Sequence, residues 1–300
     1  MPTSKRGRRG QYLSTQVHPD TIVLSLYGQY VLPRGGEIWV GSLIRALGAL
    51  EFSPGAVRAI VSRMQRKGFL QSQRQGHHSF YRLTEQGLKE VRWGGDRAFS
   101  TTGEAADGRH PWDGRWTVVT YSVPERHRER RDTLRRSLKA WGFGPLAPGT
   151  WISPHRLSAE AERKWRTLDV WEYLEIFRAR HVGPSDPHTL VAHAWPGLRK
   201  LAHRYRAYVT EYEPVRRCVE AGTLDGEGCF ASQLQSLFEF VAITLDDPAL
   251  PSPLLPEDWP RPAAHQLFKE LQRGLAEPAE CFFDAIFETL KTIRTRGQTT

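Results

Sequence analysis

The chain has 300 residues, a formal net charge of +9 and 39% hydrophobic residues, a length that fits two or three domains, each with a core of its own. No apolar run approaches the roughly 18 residues that a membrane span requires, and no apolar segment follows the basic N-terminus as in a signal peptide, so we expect a soluble, cytoplasmic protein without membrane contact. Because Cys218, Cys229 and Cys281 share no CxxC spacing, we expect free thiols and no metal site.

The excess positive charge lies entirely in the first third of the chain. Residues 1–95 hold 14 Lys and Arg against 5 Asp and Glu, and the remaining 28 basic residues (42 less 14) balance 28 acidic ones (33 less 5). Such a segment attracts a polyanion, which releases its counterions on contact. The pattern favours nucleic-acid binding by the N-terminal third.

Apolar periodicity predicts three consecutive helices after the basic N-terminus. The first spans Pro19 to Tyr30, with Asp20 as its expected cap, and the second spans Glu37 to Leu50. Ser53 followed by Pro54 predicts the start of a third, which runs to Lys67. Its apolar positions recur at helical spacing and face inward, so its outer face is polar and cationic without an acidic residue.

Strand-forming residues from Phe69 to Thr84 predict a hairpin with Gln75 and Gly76 at its tip, and another helix begins after Thr84. Two helices, a turn, a cationic helix and a hairpin follow one another in a winged helix-turn-helix. In that fold the third helix enters the major groove and the wing reaches the flanking backbone. We therefore expect residues 1–95 to form such a DNA-binding domain with a basic N-terminal arm.

Residue chemistry divides the expected DNA contacts into two groups. Small and polar side chains at the start and outer face of the third helix are expected near base edges, with Arg58 bidentate to guanine: Ser53, Gly55, Arg58, Ala59 and Ser62. Cationic side chains are expected at phosphates: Lys5, Arg6, Arg8, Arg9, Arg63, Arg66, Lys67, Arg74, His77 and His78. For Arg63 and Arg66 a solvated helix face is the alternative.

The rest of the chain predicts a linker and two further domains, giving an α+β protein overall. Residues 96–111 are polar and glycine-rich, as in a linker. A strand, a helix over Arg128 to Trp141 and two more strands predict a ferredoxin-like α+β domain over 112–185. Helical segments from Leu190 to Cys218, Cys229 to Leu245 and Ala263 to Leu290 predict a helical domain over 186–300, which we expect to serve effector binding and dimerisation.

Several segments in chain order resemble the PaaX repressors of phenylacetic acid catabolism. They are Ser25–Gly28, Arg34–Leu43, Val57–Arg58, Ser79–Thr84, Trp112–Trp116, Trp141–Pro148 and Asp247–Pro251, with Leu255–Pro256 and Trp259. The resemblance implies a homodimeric repressor of an aromatic-degradation operon that binds double-stranded operator DNA. It also implies release from DNA by an aryl-acyl-coenzyme A such as phenylacetyl-CoA, and neither catalysis nor a cofactor.

A coenzyme A thioester requires cations for its phosphates and an apolar slot for its acyl group. Six side chains near the expected domain junction offer these properties: Trp141, Trp151, Trp171, Arg178, Arg180 and Arg204. Packing of the tryptophans into ordinary cores is the alternative.

Two other functions stay open at this point. The middle segment also resembles the small ferredoxin-like nuclease of CRISPR adaptation, which places a metal-binding Asp at the end of its first strand, where this chain has Tyr121–Pro124. Without an evident carboxylate pair, a metal-dependent nuclease lacks its usual machinery. A non-specific nucleic-acid binder would contact mostly phosphate and would show no sequence preference.

Overall fold

A computed structural model describes residues 19–100 and 112–288. It confirms the α+β class, with a three-stranded and a four-stranded antiparallel sheet among helices. The chain divides into two compact units. Unit 1 takes its described residues from 19–98, 208–242 and 263–288, and unit 2 takes its own from 99–100, 112–207 and 243–262. None of the helices in these ranges is both long enough and apolar enough to cross a bilayer.

The N-terminal part of unit 1 alternates short helices with the three-stranded sheet. Helix α1 (Pro19–Leu26) continues into a π-helical turn and a 3-10 turn that ends at Arg34. The elements that follow are, in chain order, β1 (Glu37–Trp39), α2 (Val40–Gly48), α3 (Pro54–Arg66), β2 (Leu70–Gln75), β3 (His78–Leu83) and α4 (Glu85–Ser100).

The third helix and the hairpin are confirmed, and two expected boundaries are wrong. The second helix begins at Val40, not Glu37, because residues 37–39 pair with β3 as the outer strand of the sheet, with Ile38 opposite Tyr81. Sheet pairing outcompetes the helical periodicity here. Helix α4 continues to Ser100, into the segment expected as a linker, with Gly94 and Gly95 inside it. A glycine inside a helix costs about 1 kcal/mol, which packing can offset.

The C-terminal helices are confirmed in type and are more finely divided than expected. They are α7 (Pro187–Ala194), α8 (Leu198–Glu220), α9 (Gly226–Thr244), α10 (Arg261–Gly274) and α11 (Ala276–Ile286). Within unit 1, aromatic side chains hold three of them together: Phe240 of α9 stacks on Phe268 of α10 at 4.3 Å between ring centroids, and Phe230 of α9 lies 5.8 Å from Phe283 of α11.

Unit 2 is built on the four-stranded sheet in the order β5-β6-β4-β7. Its elements are β4 (Arg115–Tyr121), α5 (Arg128–Ala140), β5 (Gly144–Ala147), β6 (Thr150–Ser153), α6 (Ala159–Arg166) and β7 (Leu174–Arg180). The sequence did not predict β5 and α6. Alternate residues of β4 enter two separate hydrophobic clusters, since successive strand residues point to opposite faces. Val119 packs with Leu134 of α5, and Trp116 packs with Leu190 of α7.

The Trp-Gly-Phe-Gly segment that follows α5 depends on glycine for close packing. At Gly142, with φ of +77°, a Cβ atom would lie 2.9 Å from the carbonyl oxygen of Pro248. At Gly144 it would lie 2.7 Å from the carbonyl oxygen of Ala194. Both distances are below those that real Cβ atoms adopt, so the backbone approaches its neighbours too closely for a side chain.

The proline-rich segment after α9 is anchored by a buried ion pair in unit 2. Arg261 Nη1 lies 3.4 Å from the Asp247 carboxylate, with side-chain exposures of 6% and 2%. Tyr205 donates its hydroxyl proton to the same carboxylate at 2.7 Å, and Arg261 Nη2 donates to the Leu250 carbonyl at 2.7 Å. These bonds satisfy the buried charges, which would otherwise be very costly.

Candidate nucleic-acid interface

Helix α3 has an N-cap, a buried inner face and a free outer face. The Ser53 hydroxyl accepts a hydrogen bond from the Ala56 amide at 3.2 Å, and Pro54 occupies the first turn. The expected inner residues are all buried: Val57, Ile60, Val61 and Met64. This apolar stripe fixes the rotation of the helix about its own axis. The helix thus presents its opposite side to solvent.

The outer face of α3 carries the residues expected at base edges. Ser53, Gly55, Arg58, Ala59 and Ser62 are all exposed, as is Arg66. Within the described ranges, neither Arg58 nor Arg66 forms an ion pair with a carboxylate. Each of these two guanidinium groups therefore keeps its donors available for an anionic ligand.

Arg63 of α3 and Lys67, the residue directly after this helix, have an acidic partner within unit 1. Asp20 of α1, whose side chain is 7% exposed, accepts hydrogen bonds from Arg63 Nε at 3.0 Å and Nη2 at 2.9 Å. Lys67 Nζ lies 2.6 Å from the other carboxylate oxygen. Asp20 was expected as a helix cap, and the structure instead places its carboxylate between α1 and α3. Arg63 and Lys67 thus neutralise a buried charge.

The hairpin places its cations at different depths. Arg74 and His77 are exposed near the tip, and Arg74 Nε donates to the Gly76 carbonyl at 3.2 Å. His78 is partly buried, with its ring 5.4 Å from that of Trp39. Gln65 of α3 donates to the Ser72 hydroxyl of β2 at 3.0 Å, which links the helix to the hairpin.

The expected basic arm lies outside the described residues, and sequence reasoning missed three polar contacts that shape the surface. The arm residues are Lys5, Arg6, Arg8 and Arg9. The missed contacts are those of Asp20, the Gln65–Ser72 hydrogen bond and the ion pair of Arg82 with Glu37 at 2.9 Å. The Asp20 and Arg82–Glu37 contacts join residues more than 40 positions apart, and the Gln65–Ser72 bond depends on how α3 packs against β2, so no local signal identifies them.

The three tryptophans expected to bind a coenzyme A thioester surround one hydrophobic cluster of unit 2. Trp151 is 7% exposed within the cluster, and Trp141 and Trp171 pack against its edge. The Arg166 guanidinium also lies over the Trp171 ring, 4.0 Å from the ring centroid. Their arrangement is that of a packed core.

The three arginines named with them are spread over unit 2. Arg178 donates to Asp113 at 2.8 Å and to Thr117 of β4 at 3.1 Å, so both of its terminal nitrogens have partners within unit 2. Arg204 donates to Asp246 at 2.6 Å, and Arg180 is exposed on β7. Two of the three arginines, Arg178 and Arg204, thus form ion pairs within unit 2.

Unit 1 contains an open cleft of about 720 Å³ between the start of α9 and α11. Its lining is Asp225, Gly226, Glu227, Glu277, Pro278, Cys281 and Phe282. The three carboxylates would repel the phosphates of a coenzyme A molecule. Among the described residues, no three His, Cys, Asp or Glu side chains stand close enough to hold a metal ion. The three cysteines are free thiols.

Comparison with protein families gives matches along most of the chain. Three family models match consecutive segments: "PaaX-like protein" over residues 18–87, "PaaX protein central Cas2-like domain" over 109–191 and "PaaX-like protein C-terminal domain" over 195–285.

Single proteins give matches of similar extent. The chain is 28% identical over 274 residues to "Transcriptional repressor PaaX" of Escherichia coli strain K12, which covers 90% of this chain and 84% of that protein. It also resembles the solved structure of the uncharacterized protein Rv0674 from Mycobacterium tuberculosis, with a TM-score of 0.55 and 22% identity. The match covers 89% of this chain and 97% of that protein's chain. At that identity the structural likeness concerns the fold alone.

Proposed function

Because this chain belongs to the PaaX family, we propose that it is a transcriptional repressor that binds double-stranded operator DNA through a winged helix-turn-helix in its N-terminal part. The exposed outer face of α3 carries this proposal. It presents Arg58 and Arg66 without an acidic partner among the described residues, on a helix whose opposite face is buried. Such a helix fits the major groove, which is about 12 Å wide.

The proposal assigns different tasks to the cations of this surface. Arg58, near the start of α3, reads a guanine by donating two hydrogen bonds to its O6 and N7 atoms. Arg66, Arg74, His77 and the N-terminal arm bind phosphates, which adds affinity without sequence information. Arg63 and Lys67 reach phosphates only by sharing or leaving the Asp20 carboxylate, so their contribution is smaller.

The remaining parts of the proposal concern regulation. The protein represses an operon for phenylacetate-type aromatic catabolism as a homodimer, and an aryl-acyl-CoA such as phenylacetyl-CoA releases it from DNA. The family match supports this assignment. For release, the effector must bind the DNA-incompetent arrangement more tightly, since equal affinity for both states shifts no equilibrium.

The middle segment acts in this proposal as a ferredoxin-like regulatory domain without catalytic activity. Its support is the antiparallel sheet of unit 2 and the Cas2-like description of the matching family model. At the end of β4, where a nuclease of that kind holds an Asp, this chain has Tyr121 and Ser122. Divalent-metal-dependent cutting of DNA by the purified protein would instead support the nuclease.

Fluorescence anisotropy tests the regulatory proposal directly. The purified protein is titrated on the DNA upstream of its own gene and on a scrambled sequence of equal length, with phenylacetyl-CoA, phenylacetate or no addition. We expect specific binding that the thioester releases and the free acid does not. Specific binding that phenylacetyl-CoA does not change would contradict the proposed effector. Equal binding to the upstream and scrambled DNA would contradict the proposed function as a repressor.

Single substitutions test the assignments on α3. Arg58→Ala should weaken operator binding by about 1–3 kcal/mol and relax the sequence preference. Arg66→Ala should weaken binding to operator and scrambled DNA equally. It should also lower the slope of log affinity against log salt concentration by about 1. Lys139→Ala in α5, an exposed cation of unit 2, serves as the control and should change neither. Equal losses on both DNAs for Arg58→Ala would contradict base reading by this residue.

A further inference from the structure

The end of α11 contacts the N-terminal elements of unit 1 through an ion pair and an aromatic cluster. Arg34 Nε lies 2.5 Å from Asp284 Oδ1, and its guanidinium lies over the Phe283 ring at 5.3 Å. Phe283, which is fully buried, also packs on Tyr30 at 4.9 Å between centroids. The Tyr30 hydroxyl donates to Gln233 of α9. The turn between α1 and β1 is therefore bound to the C-terminal helices.

A second set of contacts holds the junction of β1 and α2. The Trp39 amide donates to the Glu288 carbonyl at 3.0 Å, and the Glu288 amide donates to the Ser42 hydroxyl at 3.0 Å. The Arg45 guanidinium lies 3.6 Å from the Glu288 carboxylate. Trp39 is the N-cap residue of α2 and its side chain makes no capping bond. Backbone atoms of residue 288 thus satisfy groups at the start of this helix.

We infer that Phe283, Asp284 and Glu288, here called the C-terminal brace, are positioning residues for DNA binding, an inference that rests on the proposed function. The brace holds α2 and β1, α2 packs against α3, and β1 pairs with β3 of the hairpin. Through these neighbours it sets the angle between α3 and the β2–β3 hairpin. A displacement of about 1 Å at such a site is enough to disrupt recognition.

The residues that the brace contacts show that it leaves the outer face of α3 uncovered. Its partners in the N-terminal elements of unit 1 are Tyr30, Arg34, Trp39, Ser42 and Arg45, and none of them belongs to α3. Arg58, Ser62 and Arg66 on the outer face of α3 stay exposed in the braced arrangement. The brace therefore holds the DNA-binding-competent arrangement and does not block the DNA surface.

Two substitutions that remove charges of opposite sign distinguish a positioning role from a change in long-range electrostatic attraction to DNA. Arg34→Gln removes a positive charge and Asp284→Asn removes a negative one, so long-range attraction to DNA changes in opposite directions. Loss of positioning changes the preference for operator over scrambled DNA in the same direction in both variants. We expect each to lower that ratio about threefold, as for a partly exposed ion pair. The double variant should be no worse than Arg34→Gln alone, since that variant has already lost the ion pair with Asp284.

The control is another long-range ion pair, Arg206 with Asp258 at 2.6 Å in unit 2. Arg206→Gln and Asp258→Asn should leave the ratio unchanged. Hydrogen exchange provides a second readout: in Asp284→Asn we expect faster exchange in a peptide covering residues 37–48, including the Trp39 amide. Thermal melting shows whether the variants are folded.

Each outcome decides for or against the brace. Opposite shifts of the ratio in the two variants, or an unchanged ratio with unchanged exchange over residues 37–48, would overturn it. A lower melting temperature with an unchanged ratio would make the contacts structural only, which also overturns it. If the wild-type protein itself shows no preference for the operator, the proposed function fails, and the exchange experiment still tests whether Asp284 holds β1 and α2.

Discussion

Replacement of Asp20 by Asn tests how the structure balances the charge of α3. Asn keeps the size of the side chain and one acceptor oxygen, and it loses the negative charge that Arg63 and Lys67 share. Arg63 and Lys67 then lie beside a side chain that is 7% exposed and no longer carries the charge that balanced theirs. Removing one partner of a buried ion pair costs about 3–5 kcal/mol.

The expected cost is smaller than that limit because the two cations are partly exposed. Side-chain exposures of 33% for Arg63 and 42% for Lys67 let water screen them once the carboxylate is gone. We expect Asp20→Asn to lower the free energy of unfolding by about 2 kcal/mol. For a chain of 300 residues that corresponds to a melting temperature lower by about 3 °C.

The same substitution should change DNA binding in the opposite sense. Arg63 and Lys67 become available to phosphates, so the salt dependence of binding to scrambled DNA should steepen by up to about 0.9 per cation. Thermal melting and anisotropy at several salt concentrations measure the two effects. Glu85→Gln, which breaks the exposed pair of Glu85 with Lys89 at 2.7 Å, is the control and should change stability little. A loss below about 0.5 kcal/mol for Asp20→Asn would refute the reasoning.

Three further substitutions test unit 2 by urea unfolding. Gly144→Ala should destabilise by about 2–3 kcal/mol, since its Cβ atom would meet the Ala194 carbonyl; an unchanged midpoint would contradict this packing. Asp247→Asn should cost about 3–5 kcal/mol because it leaves Arg261 buried without its counter-charge, and a near-neutral result would be incompatible with that ion pair. Burial, together with the charges of Arg261 and Arg178, lowers the pKa of His155 below its ordinary 6.5. The folded state then binds fewer protons than the unfolded one, so stability should fall as the pH drops below about 6.5, and His155→Asn should remove that part of the pH dependence.

Helix α3 and the hairpin could be predicted because their signals are local. Ser53 and Pro54 start α3, and its apolar residues repeat at helical spacing, so its inner and outer faces follow from the sequence. The start of α2 was wrong because residues 37–39 pair with a strand far along the chain, and helical periodicity carries no information about such a partner. The strand β5 is short, and its pairing with β6 appears only in the fold.

The candidate site shows the same division. Exposure of Arg58 and Ser62 follows from their spacing relative to the buried stripe of α3. The partner of Arg63 and Lys67 does not, since Asp20 lies on another helix. Aromatic and cationic residue types were too weak a signal for a ligand site, because the same types also build cores and ion pairs. The placement of a coenzyme A thioester stays a prediction.

The sequence by itself determined the charge segregation, the α+β class, the amphipathic helix α3 and the hairpin, because each depends on composition or on neighbours within a few turns of chain. The resemblance to PaaX repressors was also present in the sequence, and the family matches confirm it. Only the tertiary structure decided which cations of the α3 segment have an acidic partner and which segment supports the start of α2. Those answers depend on pairs such as Trp39 with Glu288 and Arg34 with Asp284, which only packing of the whole of unit 1 brings into contact.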